Sequence, residues 1–200
     1  MKVFSRGVYR FYYCLVVFLI HWAHPIVKVR GRENIPEGAA LLCGNHSAFS
    51  DPIWVVAAAR LKKPLRIMSK KELLETPVLG RFLQGMGAFP VERGTSDIKS
   101  IYTALRALRE KDKVLVFPEG TRIRNGKVST PHNGAMLLST RTNTPIVPLY
   151  LSEKKHFWSV IRVNFGKPIY PQPDEKLTNE ELTERSAELM RVIYALKEQK

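Results

Sequence analysis

The sequence predicts a single α/β domain built on a mixed, mostly parallel central sheet of about seven strands flanked by helices. Three observations lead there. Short apolar runs recur along the chain and alternate with stretches of helical periodicity, the signature of strands sandwiched between helices. No repeat, low-complexity tract or long linker divides the chain, so a second domain has no place to begin. With 200 residues of which 44% are apolar, the chain is long enough for one real core.

The elements follow in order. Tyr12 to Ile20 is uncharged and mostly apolar, and Pro25 stops any helix that continues from it. This stretch is shorter than the roughly 20 residues a bilayer span requires. Lys2, Arg6 and Arg10 precede it and Tyr9, Tyr12, Tyr13 and Trp22 flank it, as in a helix lying in the interface of an anionic leaflet. Residues 1–25 are therefore expected as a membrane-associating helix and residues 26–200 as the domain proper. A secretory signal peptide is a rival reading, but no small-residue cleavage site follows. A helix packed on the protein's own core is another.

Strands are expected at Ile26 to Arg30, Ala39 to Cys43, Leu65 to Ser69, Ala88 to Val91, Val114 to Phe117, Ile146 to Leu151 and Val160 to Phe165. Asp51-Pro52 reads as N-cap and first turn of a helix running to about Arg60. A second helix begins near Lys71, is interrupted at Pro77 and ends by Gly85. Thr95 or Ser96 caps a third, with Ile98, Ile101, Leu105 and Leu108 on one face. A fourth covers Asn133 to Arg141. Thr178 and Glu181 form a capping box for the last, whose stripe is Leu182, Leu189, Ile193 and Leu196.

Charge is the unusual property. There are 32 basic and 18 acidic residues, and the excess sits before Pro173, with 27 basic against 11 acidic residues. Such a field attracts anionic membranes, phosphorylated cofactors or nucleic acid, and composition does not choose among them. Arg60, Lys62, Lys63, Arg66, Lys70 and Lys71 form a basic run without an acidic residue, either a solvated face or a docking surface. Cys14 and Cys43 read as small buried hydrophobes, not as a disulfide.

Two polar clusters each close a strand-like run. In Asn45-His46-Ser47-Ala48-Phe49-Ser50-Asp51, a carboxylate five residues after a histidine can fix one ring nitrogen while the other takes a proton from a hydroxyl. In Val116-Phe117-Pro118-Glu119-Gly120-Thr121-Arg122, a carboxylate and an arginine flank a glycine turn, a grip for hydroxyl and phosphate on one small headgroup. The histidines His21, His24, His132 and His156 are scattered, so no metal site is expected. There is no Gly-x-Ser-x-Gly elbow for a serine hydrolase.

This pair of boxes, a His-x4-Asp followed by Phe-Pro-Glu-Gly-Thr-Arg, resembles the glycerolipid acyltransferase family, closest to its bacterial 1-acyl-glycerol-3-phosphate acyltransferases. Gly87-Ala88-Phe89-Pro90-Val91-Glu92-Arg93 and Thr144-Pro145-Ile146-Val147-Pro148-Leu149 match two further family segments, and the likeness covers roughly residues 26 to 170. One place departs: many members carry a serine two residues after the histidine, where this chain has Ala48.

The resemblance implies His46 as general base and Asp51 as its orienting partner, with no acyl-enzyme. It implies acceptor binding by Glu119, Gly120, Thr121 and Arg122, with Arg93 and Lys70 as further phosphate contacts. The expected reaction moves a fatty acyl group from acyl-CoA or acyl-carrier protein, as co-substrate, to the sn-2 hydroxyl of lysophosphatidic acid. No cofactor, metal or nucleic acid is expected. The expected location is the cytoplasmic face of the cell membrane, peripheral or monotopic. Other acceptors, glycerol-3-phosphate among them, are not distinguished by sequence. A basic membrane-binding module without catalysis explains the charge but gives His46, Asp51 and Glu119 no purpose.

Overall fold

In the computed structural model, which describes residues 6–24, 26–91, 98–123, 130–172 and 177–198, all seven expected strands form. They are β1 (Val27–Arg30), β2 (Ala40–Gly44), β3 (Arg66–Lys70), β4 (Ala88–Val91), β5 (Lys113–Val116), β6 (Ile146–Leu151) and β7 (Ile161–Phe165). They make one seven-stranded sheet in the order β1-β7-β6-β2-β5-β3-β4. Strands β2 to β6 all run parallel, with Leu42 opposite both Leu115 of β5 and Val147 of β6. The edge pair β7 and β1 runs the other way: β7 is antiparallel to β6, and β1 is parallel to β7. The single α/β domain with a mostly parallel sheet is thus what the alternating runs encode.

The helices are α1 (Arg6–Ala23), α2 (Asp51–Ala59), α3 (Lys71–Leu74), α4 (Leu79–Gly85), α5 (Ile98–Arg109), α6 (Gly134–Thr142) and α7 (Asn179–Ala195). Alternation within the central strands divides the core into two layers. On β2, Ala40 and Leu42 join one apolar cluster with Trp54, Val55 and Val56 of α2. Leu41 and Cys43 point the other way, into a cluster with Leu105 and Leu108 of α5, Leu138 of α6 and Leu189 of α7. Because both faces are covered, β2 and β6 are buried along their whole length and carry no alternating polar residues.

Local signals behave as read in most places. The Thr178 capping box closes as drawn, with Glu181 N–H donating to Thr178 Oγ1 at 3.2 Å and Thr178 N–H to Glu181 Oε2 at 2.7 Å. The chain breaks between α3 and α4 around Pro77, whose ring cannot sit in a continuous helix. The expected caps of α5, Thr95 and Ser96, lie outside the described residues, as does the side chain of Ile98.

Helix α1 has two faces. Tyr9, Val16 and Ile20 are buried against the domain, and the Tyr12 ring meets Phe82 of α4 edge-on at 5.3 Å. Phe11, Leu15, Phe18, Leu19 and Trp22, spaced as one helical stripe, are exposed. Among the described residues no helix is long and apolar enough to cross a membrane. Cys14 corrects the expectation of burial: it falls on the outward side of α1, because the helical phase, not the apolar run itself, decides which residues face the core. Cys43 is buried as expected, which pushes its thiol pKa up.

Candidate active site

The site assembles at the carboxyl edge of the parallel strands. Strands β6, β2 and β5 are adjacent, and the chain leaving each one contributes to the same cluster: Lys155 after β6, His46 after β2, Glu119 after β5. Parallel strands end on one side of a sheet, and this is where α/β proteins place their ligands. Lys70 closes β3 at the same edge and is exposed. Arg93, following β4, lies outside the described residues.

Asn45 begins the exit from β2. Its side-chain amide donates to Leu151 O at 2.9 Å and its carbonyl accepts Leu151 N–H at 2.8 Å, so the side chain continues the pairing with β6. His46 follows. Its Nδ1 lies 2.9 Å from Asp51 Oδ2, and its ring stacks on Phe117 with centroids 4.2 Å apart and planes 14° from parallel. The carboxylate and the aromatic face together fix the position and tilt of the imidazole. Nδ1 donating to the carboxylate leaves Nε2 as the basic nitrogen.

Asp51 has no exposed surface. Its Oδ2 also accepts the backbone N–H groups of Ser47, at 2.6 Å, and Ala48, at 2.8 Å. The expected forward N-cap is therefore corrected: Ser50 occupies the cap position of α2 without a side-chain cap bond, and Asp51, already helical, bonds backward to the loop that carries His46. Its other oxygen, Oδ1, lies 2.7 Å from Lys155 Nζ. Burial works to raise the Asp51 pKa, but the His46 hydrogen bond, the Lys155 charge and the Ala48 N–H overcome it and hold the carboxyl below the usual carboxylate value.

Glu119 is equally buried, and both of its oxygens are engaged. Oε2 accepts the backbone N–H of His46 at 2.8 Å, and Oε1 accepts the Tyr194 hydroxyl of α7 at 2.9 Å. Burial pushes its pKa above the ordinary value against the pull of these two donors. A return bond runs from Ile123 N–H to His46 O at 2.8 Å. The two sequence boxes, more than 70 residues apart, are thus locked together through the main chain of His46 itself.

Gly120 makes the turn between Glu119 and the basic end of the second box. Its φ is +65°, and a Cβ added there would overlap the His132 ring. Beyond it, Thr121 and Arg122 are exposed at the rim of the cluster. Sequence reading named His46, Asp51, Glu119 and Arg122. It missed Lys155, Tyr194, Asn45 and Phe117. Of these, Lys155 had only a positional signal: it follows a fully buried parallel strand, on the side where other site residues emerge.

The Acyltransferase family model matches residues 26–152, which contain both boxes and six of the seven strands. The chain belongs to this family. A 1-acyl-sn-glycerol-3-phosphate acyltransferase of Borreliella burgdorferi is 32% identical over 148 residues, which cover 72% of this chain and 58% of that protein. The Bacillus subtilis protein of the same name is 34% identical over 124 residues, covering 61% of this chain and 60% of that one. The chain thus spans somewhat under two thirds of the length of these curated relatives. The crystal structure of the 1-acyl-sn-glycerophosphate acyltransferase PlsC from Thermotoga maritima superposes with a TM-score of 0.74, covering 99% of this chain and 84% of that one at 19% identity. That likeness extends to the fold.

Proposed function

We propose that this chain is a 1-acyl-sn-glycerol-3-phosphate acyltransferase, moving a fatty acyl group from the thioester of acyl-CoA or acyl-carrier protein to the sn-2 hydroxyl of lysophosphatidic acid. The observation that carries the reading is the bonded pair of boxes: an imidazole held at Nδ1 by a buried carboxylate, tied by its own N–H to the turn that leads to Arg122. Two relatives bearing that activity in their names match 72% and 61% of the chain.

In this mechanism Nε2 of His46 takes the proton of the acceptor hydroxyl as its oxygen attacks the thioester carbonyl, a contribution of about 10²–10⁴-fold. Asp51 stabilises the imidazolium that forms. That attack makes the C–O bond and gives a tetrahedral intermediate; as the intermediate collapses, the carbonyl re-forms, the C–S bond breaks, and the imidazolium returns its proton to the departing thiolate. No group of the protein is acylated. Arg122 and Lys70 receive the acceptor phosphate, with Arg93 as a third cation; a planar guanidinium binds phosphate through paired N–H groups. Glu119 acts on the acceptor through the backbone it holds, since both its oxygens are occupied.

The outward stripe of α1, Phe11, Leu15, Phe18, Leu19 and Trp22, is the lipid-facing surface, and Trp22 meets the exposed Phe157 at 6.2 Å to extend it. The net charge of +14 suits an anionic leaflet. The enzyme thereby works at the membrane from which its acceptor is drawn. The deciding test is acyl transfer by purified protein with radiolabelled lysophosphatidic acid or glycerol-3-phosphate as acceptor. Transfer to lysophosphatidic acid is expected, with a loss of at least about 10²-fold in His46→Ala. Undiminished turnover in that variant would end the proposal.

A further inference from the structure

The loop joining β6 to β7 carries the one ammonium that reaches the His46–Asp51 pair among the described residues, and the mechanism above gives it no task. Lys155 has a side chain only 6% exposed, with Nζ 2.7 Å from Asp51 Oδ1 and 3.0 Å from Ser47 Oγ. Lysine is almost never so deeply buried unless paired, and a buried ion pair is a poor device for stability alone. Its geometry has a more specific effect. Asp51 Oδ2 is crowded by the imidazole and two backbone N–H groups, while Oδ1 meets the Lys155 ammonium.

We propose that Lys155 is a positioning residue for the general base: it fixes the rotation of the Asp51 carboxylate so that Oδ2 stays on the imidazole, and it balances the carboxylate charge so that the imidazole is left unprotonated to accept a proton. This rests on the acyl-transfer reading for its rate effect but not for its electrostatic one. The sign follows from the neighbours. An unbalanced carboxylate beside an imidazole favours the imidazolium, which cannot act as base. Among the described residues, the charged and titratable groups bonded to His46 or to its carboxylate are Asp51 on α2, Glu119 after β5, on the His46 N–H, and Lys155 after β6, with Arg122 exposed at the rim. Behind them stand Tyr194, on Glu119, and Glu153, bonded by Tyr150 and Lys197. Removing Lys155 deletes the cation nearest Asp51 and leaves both carboxylates.

The test replaces Lys155 with methionine, which keeps the length of the side chain without its charge, and with arginine, which keeps the charge. The acid limb of the kcat/KM profile for acyl transfer is expected to move to higher pH in Lys155→Met. This gives roughly a tenfold loss near pH 6 that narrows as pH rises. Lys155→Arg is expected to keep the limb near its wild-type place. A uniform loss with an unmoved limb would assign Lys155 a packing role only and overturn the proposal, as would an unchanged rate. NMR titration of the His46 ring in the same proteins is the second measurement and needs no turnover: the ring should stay protonated to higher pH in Lys155→Met. If wild type fails to transfer acyl groups yet the titration moves, the function reading falls and the positioning role stands. A titration that does not move overturns it. Should the methionine variant not fold, Lys155→Gln carries the same expectations.

Discussion

Replacing Asp51 with asparagine tests the geometry of the site at the point where it is most constrained. Every neighbour of this carboxylate is a donor: His46 Nδ1, Ser47 N and Ala48 N on Oδ2, and Lys155 Nζ on Oδ1. An amide has one acceptor oxygen and one NH2. With the oxygen toward His46, the NH2 abuts the Lys155 ammonium; turned over, it abuts two backbone N–H groups and forces the proton off Nδ1. Neither arrangement is satisfied. Removing one partner of a buried ion pair costs about 3–5 kcal/mol. For a chain of this length each kcal/mol lowers the melting temperature by about 2–4 °C, so a drop on the order of 10 °C is expected by calorimetry. Turnover should fall by roughly 10³–10⁴-fold, the scale seen when an orienting carboxylate is made an amide and the wrong tautomer results. Acyl transfer should be measured well below the lowered transition, so that unfolding does not imitate lost chemistry. An Asp51→Asn protein that melts within about 2 °C of wild type, or turns over within about threefold of it, would refute the assignment of these four contacts.

Other outcomes follow from the same contacts. Glu119 is raised by burial, so its folded form prefers the proton: stability is greatest below its ordinary carboxylate pKa and is lost as pH rises through the raised one. Glu119→Gln, which mimics the protonated form, should flatten that part of the stability curve in thermal melts run from mildly acid to neutral pH. Asp51 has the opposite sign and contributes stability that is lost as pH falls below the usual carboxylate range. Gly120→Ala should cost at least about 1–2 kcal/mol from the left-handed backbone alone, read by urea denaturation, with further loss of activity as the His132 ring is displaced. Trp22→Ser combined with Phe18→Ser should weaken sedimentation with anionic vesicles by about tenfold or more while leaving the melting temperature in place, since both side chains are exposed.

The middle of the sheet was legible because β2 and β6 are short apolar runs bounded by turn residues and buried between two helical layers, while the edge strand β1 shows instead the alternation of Val27-Lys28-Val29-Arg30. The bonded partners His46 and Asp51 were legible because they are five residues apart. What escaped is whatever depends on contacts across long stretches of chain. Lys155 sits in Glu153-Lys154-Lys155-His156, which reads as an ordinary polar loop, and only the neighbouring places of β6 and β2 bring it to Asp51. Tyr194 lies beside the apolar stripe of α7, and nothing in that periodicity tells that its hydroxyl ends on a glutamate 75 residues earlier. Cys14 failed for a different reason, because an apolar run fixes that a helix exists but not its rotation about its axis. Asp51 holds the imidazole as expected but does not cap its helix forward: aspartate before proline announces a helix start, and its remaining backbone bonds go to the preceding loop.

The amide of Asn45 impersonates a peptide unit. By offering Leu151 one donor and one acceptor, it lets the main chain leave the sheet while the hydrogen-bond ladder continues through a side chain. The next peptide N–H, that of His46, is thereby excused from strand pairing and turns to Glu119. Catalytic loops need backbone that is rigid yet out of plane with the strands that support it, and here one amide side chain reconciles the two.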